Sequence, residues 1–349
     1  MNKVPSSKFK AQSSPVPSQW RRWNLPVLLL FALATFLILR RHNAEPPFQK
    51  EEGAVFGTFY HLTYQAERSL KDSIEACLAQ VDASLSMFNP QSVISRVNQN
   101  EDVVADSLFR RVFQLSQLVS QATDGAFDIT VAPLVNAWGF GFKHDTLPDS
   151  TQVDSLRSLV GWESVELTAD GHVRKADPRM VLDCSAVAKG FGVDVVADYL
   201  RTQGIRNFMV EIGGEVVVSG KNPKGDLWHV GVNRPDEDST STSHELQTVL
   251  PLTDVAMATS GNYRNFYVAG GKKVAHTIDP HTGYPVQHSL LSATVLAPTC
   301  AEADAFATSF MVMGIDKAKA VLASHPELQV YFIYADGGGQ LQTYSTIKK

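Results

Sequence analysis

Apolar and polar positions follow two different rhythms along the chain, and the change between them divides it. Leu70, Ile74, Cys77, Val81 and Leu85 recur at helical spacing, as do Leu108, Val112, Leu115 and Val119 within residues 107–123; such an apolar stripe predicts two amphipathic helices. A strand-like start at 55–63 precedes them. Beyond residue 160 the texture turns to short β-type runs separated by turn residues. Segments 164–167 and 172–175 flank Ala169-Asp170-Gly171, a hairpin signal. Further strands are predicted at 207–212, 215–219, 228–232, 248–252, 273–278, 292–297 and 329–334, with helices near 187–202 and 302–313. Hairpin-adjacent strands interrupted by helices indicate an α+β class. The Asp236–His244 stretch, DEDSTSTSH, reads as a solvated loop. No internal repeat is evident.

The N-terminus carries a different pattern. From Leu25 to Leu39 no charge interrupts LPVLLLFALATFLIL, flanked by Arg21 and Arg22 on one side and Arg40 and Arg41 on the other. The run is shorter than the usual span of ~20 residues, and no clean small-x-small cleavage site follows. No Cys stands just after it, which removes a lipoprotein anchor. An uncleaved signal anchor and a cleaved signal peptide both fit; the basic tail preceding the run orients its N-terminus inward. The expected organisation is a basic cytoplasmic tail over 1–24, a transmembrane anchor over 25–39, a linker over 40–52 with Glu45, Pro46 and Pro47, and one exported domain over 53–349.

Charge changes the picture once the tail is set aside. Lys3, Lys8, Lys10, Arg21, Arg22, Arg40 and Arg41 belong to it, leaving 24 Lys and Arg against 36 Asp and Glu. A body this acidic argues against nucleic acid as a partner, because phosphate contacts need clustered bases. Cys77, Cys184 and Cys300 are widely spaced and odd in number, so no disulfide framework is indicated.

Standard catalytic and nucleotide motifs are absent: there is no G-x-x-x-x-G-K-[ST], no G-x-G-x-x-G opening a helix, no H-E-x-x-H and no G-x-S-x-G. Four compact blocks combine glycine with polar groups instead. In the first, TDGAFDIT at 123–130 leads to Trp138-Gly139-Phe140-Gly141; Asp124-Gly125 stops a helix, and small Ala126 would admit a flat ligand to the backbone. A helix stop beside an aromatic core explains the same residues. In the second, DCSAVAKG at 183–190, a strand runs into a helix whose exposed amides and Lys189 suit an anion, although a solvated helix lysine fits equally. The third holds Ser260-Gly261-Asn262-Tyr263-Arg264 and, further on, His276, Asp279-Pro280 and Thr282-Gly283. His276, near a strand end, is placed like a general base; a histidine bonded into a turn is the commoner explanation. The fourth is Ala303-Asp304-Ala305-Phe306-Ala307-Thr308, where Asp304 and Thr308 share a helix face. Oxygen donors without His or thiolate suit Mg²⁺ rather than zinc, and a plain Asp–Thr hydrogen bond is the alternative.

Taken in order, Gly57-Thr58, Ser92-x-Ile94-Ser95-Arg96-x-Asn98, TDGAFDITVAPLVNAWGFG, Ala188-Lys189-Gly190, Ile212-Gly213-Gly214, the Ser260 and His276 segments and Ala303-Asp304-x-x-x-Thr308 resemble the ApbE family over residues 53–345. The resemblance implies an α+β domain related to the T-fold, acting as an FAD:protein FMN transferase with FAD as FMN donor and Mg²⁺ as cofactor. It implies FAD contacts at Phe56, Phe88, Ala126, Phe127, Asp128, Asp183, Lys189 and Ile278. It also implies metal ligation by the Ala186 carbonyl, Asp304 and Thr308, and a catalytic His276. Where the family more often has Met and Tyr, this chain has Phe56 and Phe88, so a tyrosine hydroxyl is lost. The implied partner is an acceptor protein with an Asp-x-x-Ser/Thr-Gly/Ala-Ala-Thr segment, such as a respiratory or reductase subunit at the bacterial inner membrane. Hydrolysis of FAD to FMN and AMP, and flavin binding without catalysis, are the competing activities.

Overall fold

The computed structural model describes residues 26–35, 45–141, 147–235, 245–262, 266–269 and 272–348. The basic tail, both ends of the 25–39 run, the Asp236–His244 loop and Tyr263-Arg264 lie outside the described residues. Residues Met1–Pro47 and Phe48–Lys349 form two separate units. In the first, a helix covers 26–35 with its side chains exposed. Among the described residues no helix is long and apolar enough to cross a membrane.

The second unit is a mixed α/β fold built on an eight-stranded antiparallel sheet. Its strands, in chain order, are β1 (Phe48–Val55), β2 (Thr58–Gln65), β5 (Phe208–Ile212), β6 (Glu215–Ser219), β9 (Val255–Gly261), β12 (Leu290–Ala297), β13 (Gln329–Ala335) and β14 (Leu341–Ser345), and they lie side by side in that order. Three hairpins stand apart: β3 (Val165–Leu167) with β4 (Val173–Lys175), β7 (Trp228–Asn233) with β8 (Leu246–Leu252), and β10 (Phe266–Ala269) with β11 (Lys272–Ala275). The helices are α1 (Lys71–Leu85), α2 (Val93–Asn98), α3 (Ser107–Ala122), α4 (Ala132–Ala137), α5 (Ser150–Arg157), α6 (Ser185–Thr202) and α7 (Cys300–Ser324).

Alternation along the strands decides what each face of the sheet meets. Val217, Ala256, Ala258, Val295, Val330 and Phe332 face the helical layer, in clusters with Val187, Val193 and Phe310. Their neighbours Val216, Val218, Met257, Leu296 and Ile333 point the other way, against Trp228, Val230 and Leu250 of the β7–β8 hairpin. The two helices nearest the sheet approach closely. A Cβ at Gly190 of α6 would sit 2.4 Å from the Cys300 carbonyl oxygen, and one at Gly192 2.6 Å from the Phe56 ring. Glycine at these two positions is what lets α6 lie against α7 and against the β1–β2 turn.

The structure corrects the sequence reading in three places. The segment read as a linker contains β1: its run of Gln49, Lys50, Glu51 and Glu52 looks like a tether, but β1 is an edge strand, where charged side chains are tolerated and guard the open edge. The strand expected at 55–63 is present from Thr58 as β2, but its first residues are the hairpin turn from β1, with Phe56 and Gly57 both at positive φ (51° and 73°). The helix expected at 302–313 continues to Ser324 past a break at Gly314 (φ 76°, ψ 172°). Central strand β9 was not anticipated, because Val-Ala-Met-Ala-Thr-Ser-Gly carries a weak β signal.

Candidate functional site

β6 begins where β9 ends, and the antiparallel pairing of Val216 with Met257 puts Glu215 and Thr259-Ser260-Gly261 at the same end of the sheet. The first turns of α6 and α7 face that end. Two cavities open there. The larger, about 400 Å³, is lined by Ala126, Phe127, Asp128, Asp183, Ala186, Lys189, His276, Ile278, Asp304 and Thr308, together with Gly213, Glu215, Thr259 and Ser260. The smaller, about 230 Å³, is lined by Phe56, Phe88, Leu85 and Met87. Ser185 and Lys189 line both. All twelve site residues expected from the sequence therefore border one two-lobed cleft.

Local chemistry explains each placement. α3 ends with Asp124 and Gly125 in the left-handed region (φ 52° and 76°), and Gly125 N–H donates to the Ser120 carbonyl at 2.8 Å. The chain then turns into the cavity wall. Asp128 is buried and fully engaged: one oxygen accepts from the Thr130 N–H (2.7 Å) and hydroxyl, the other from the Trp162 N–H (2.9 Å). Burial raises its pKa while these three hydrogen bonds pull it back. Asp128 thus pins the wall, and Phe127 belongs to the buried helix-side cluster with Val187 and Phe306.

The start of α6 differs from expectation. Asp183 already accepts from the Ser185 N–H (2.7 Å) and hydroxyl, so this amide is taken. The cation that α6 offers the cleft is Lys189. Its Nζ is 2.7 Å from Glu215 Oε1 and 3.9 Å from Asp304 Oδ2. Burial opposes the ammonium, but Asp304 and Glu215 outweigh it and keep Lys189 charged. Burial pushes both carboxyls up, with Lys189 pulling them back.

α7 is started by a capping box between Thr299 and Glu302 and by buried Asp194, whose two oxygens accept from the Cys300 and Ala301 N–H groups at 2.8 Å each. These contacts hold the helix start rigidly. One turn on, Asp304 is 3% exposed and its Oδ2 accepts from the Gly190 N–H at 3.1 Å; among the described residues its other oxygen has no hydrogen-bond partner. Thr308 Oγ1 lies 3.2 Å from Ser260 Oγ. The Asp304 carboxylate, the Thr308 and Ser260 hydroxyls and the Ala186 carbonyl make an oxygen-only set. No cluster of three or more His, Cys, Asp or Glu among the described residues is arranged around a metal. One carboxylate with neutral oxygens fits Mg²⁺, which takes its remaining ligands from water and substrate phosphates.

His276 follows β11 directly and faces the larger lobe, with the Phe140 ring edge-on at 6.2 Å between centroids. The segment after it is tied to the first block: Trp138 Nε1–H donates to the Gly283 carbonyl at 2.7 Å, and the Tyr267 hydroxyl donates to the Trp138 carbonyl at 2.9 Å. Asp279 accepts from the His281 N–H (2.9 Å) and the Thr282 hydroxyl (3.1 Å). His281 is spent on this turn, whereas His276 borders the cavity. Glu215 was not picked out from the sequence, and Ser260 stood only within its block, without a role. The signal for Glu215 was an acid directly after Gly213-Gly214 and before three valines, a charge at the mouth of a buried strand.

Comparison with known proteins converges on one family. The ApbE family model matches residues 56–332. The FAD:protein FMN transferase of Haemophilus influenzae is 37% identical over 339 residues, covering 92% of this chain and 96% of that protein. Its Escherichia coli counterpart is 35% identical over 300 residues, covering 82% and 84%. The solved flavin transferase ApbE of Vibrio cholerae superposes with a TM-score of 0.77 at 34% identity, covering 86% of this chain and 97% of that one. With the fold, the ordered motifs and the full-length relatives in agreement, the chain belongs to the ApbE family.

Proposed function

We infer that this chain is a flavin transferase that moves the FMN portion of FAD onto an acceptor protein. The observation that carries this reading is the two-lobed cleft with Lys189 at the junction and His276 and Asp304 in one lobe. FAD has two flat ends joined by a pyrophosphate, and an ammonium between two lobes suits a diphosphate between two rings. The relatives named above carry the same activity in their names.

In the proposed reaction a Ser or Thr hydroxyl of the acceptor attacks the FMN phosphorus. A new P–O bond forms, the P–O bond to AMP breaks, and the hydroxyl proton passes to His276. Asp304, Thr308 and the Ala186 carbonyl would hold Mg²⁺, which when bound supplies positive charge against that developing on the leaving phosphate. Lys189 orients the diphosphate, and the Phe140 edge shields the imidazole. Phe56 and Phe88 offer apolar surface to one ring system.

The test uses full-length protein with FAD, Mg²⁺ and a peptide containing the Asp-x-x-Thr-Gly-Ala-Thr pattern. A peptide mass gain of one FMN with AMP released is expected. AMP without a mass gain would establish an FAD pyrophosphatase instead, and neither product would leave a flavin-binding protein.

The basic tail and the 25–39 run further support an inner-membrane anchor that places residues after 44 outside the cytoplasm, beside membrane-bound acceptors. A C-terminal alkaline phosphatase fusion should be active and a C-terminal green fluorescent protein fusion dark. The reverse pattern would sink the topology.

A further inference from the structure

Glu215 lies in the cleft without a role in the reading above. It is 3% exposed, and its Oε2 is buried with no hydrogen-bond partner among the described residues. Its Oε1 is held by Lys189 Nζ at 2.7 Å. A carboxylate buried this deeply is tolerable only while paired, so Glu215 holds Lys189 through one of the three donors of its ammonium. The same ammonium stays 3.9 Å from Asp304 Oδ2, beyond hydrogen-bond reach. One lysine thus stands between two buried carboxylates and makes close contact with only one. The backbone sets the choice: Glu215 opens β6 immediately after Gly213 and Gly214, both at positive φ (60° and 103°), while the Gly190 N–H fixes Asp304 from the opposite side.

We infer that Glu215 is a positioning residue that holds Lys189 off Asp304, keeping that carboxylate open to a divalent cation and the ammonium available to the diphosphate. A direct Lys189–Asp304 ion pair would occupy the only carboxylate of the oxygen set and compete with the cation. This inference rests on the metal assignment above and extends it from the ligands to the residue that keeps them free.

The experiment measures Mn²⁺ binding to the full-length, FAD-free protein, from the electron paramagnetic resonance signal of free Mn²⁺. Asp304→Asn reports whether the metal assignment itself holds: binding should be lost. In Glu215→Gln the lysine has one full negative charge left within reach and closes on Asp304. From the Coulomb energy gained over that distance, Mn²⁺ affinity should fall about tenfold or more. The decisive variant is the double substitution Glu215→Gln with Lys189→Met, which removes the competitor. Its affinity should return to within about threefold of wild type or exceed it, because net local charge is restored and Asp304 is free. A double variant as weak as Glu215→Gln would overturn the inference and make Glu215 a direct ligand, and unchanged affinity in Glu215→Gln would overturn it as well. If Asp304→Asn binds Mn²⁺ like wild type, the metal assignment falls and this inference with it. Rescue by a second substitution separates positioning from misfolding, since a damaged fold would not be repaired by removing Lys189.

Discussion

His276→Ala should reduce FMN transfer by roughly 10²–10⁴-fold while FAD still binds. An acceptor hydroxyl is a weak nucleophile at neutral pH and needs a base during attack. Neutral imidazole suits that task, because its ordinary pKa of ~6.5 lies close to working pH. The imidazole borders the larger lobe beside Phe140, at the end of a β-hairpin whose following segment is tied down through Trp138 and Gly283. Removing the ring leaves those ties intact, so the cleft should persist. His281→Ala is the control. His281 N–H and ring both contact Asp279 on the exposed turn, so its loss should loosen a turn and cost far less in rate. Flavin fluorescence reads FAD affinity and acceptor mass reads transfer. Near-wild-type transfer in His276→Ala, or a defect confined to FAD binding, would remove the general-base role and leave the metal to activate the acceptor unaided.

Asp304→Asn is expected to be the most damaging change at the proposed metal site, abolishing Mg²⁺-dependent turnover by at least about two orders of magnitude. The metal-free fold should not suffer. Burial, opposed by Lys189 and the Gly190 N–H, raises the Asp304 carboxyl above its ordinary range. A carboxyl raised in the folded state favours folding most when protonated, below its unfolded pKa, and that contribution disappears as pH rises through the folded value. The Asp304 carboxyl therefore supports the empty protein less as pH rises, and asparagine, which does not ionise, escapes that loss. The expected signature is an unchanged or higher Tm without metal, together with lost turnover and lost stabilisation by Mg²⁺. Thr308→Val should weaken the site less, because a neutral hydroxyl binds a hard cation less strongly than a carboxylate. Unchanged transfer with unchanged Mg²⁺ dependence in Asp304→Asn would refute the assignment.

Much of the site was legible before any coordinates because its residues lie in short local motifs. Asp304 and Thr308 share a face through helical spacing alone, Asp124-Gly125 ends α3 because both residues tolerate the left-handed region, and the ordered blocks identify the family. Short-range patterns also located β5, β6, β7, β12 and the two helices flanking the cleft to within a few residues at their starts. Burial and pairing escaped such patterns. β1 reads as a polar linker until β2 is seen to pair with it, and β9 gives no strand signal of its own until β6 and β12 enclose it.

What the sequence determined by itself is the family, the alternation of helices and strands, and the identity of the groups that border the cleft, since each is carried by residues a few positions apart. Which partner each group takes was decided by tertiary structure. Asp128 looks like a ligand contact, yet beyond its local bonds to Thr130 its second oxygen is taken by the distant Trp162 N–H. Lys189 and Glu215 are separated by a helix, a strand and a double-glycine turn, and no local rule pairs them. They meet because glycines at 190 and 192 let α6 lie close to α7 and the β1–β2 turn, while the register of β6 on β9 brings Glu215 to the end of the sheet where α6 begins. Long-range pairing depends on how whole elements pack, and the energy that selects it is spread over the core rather than written at the site.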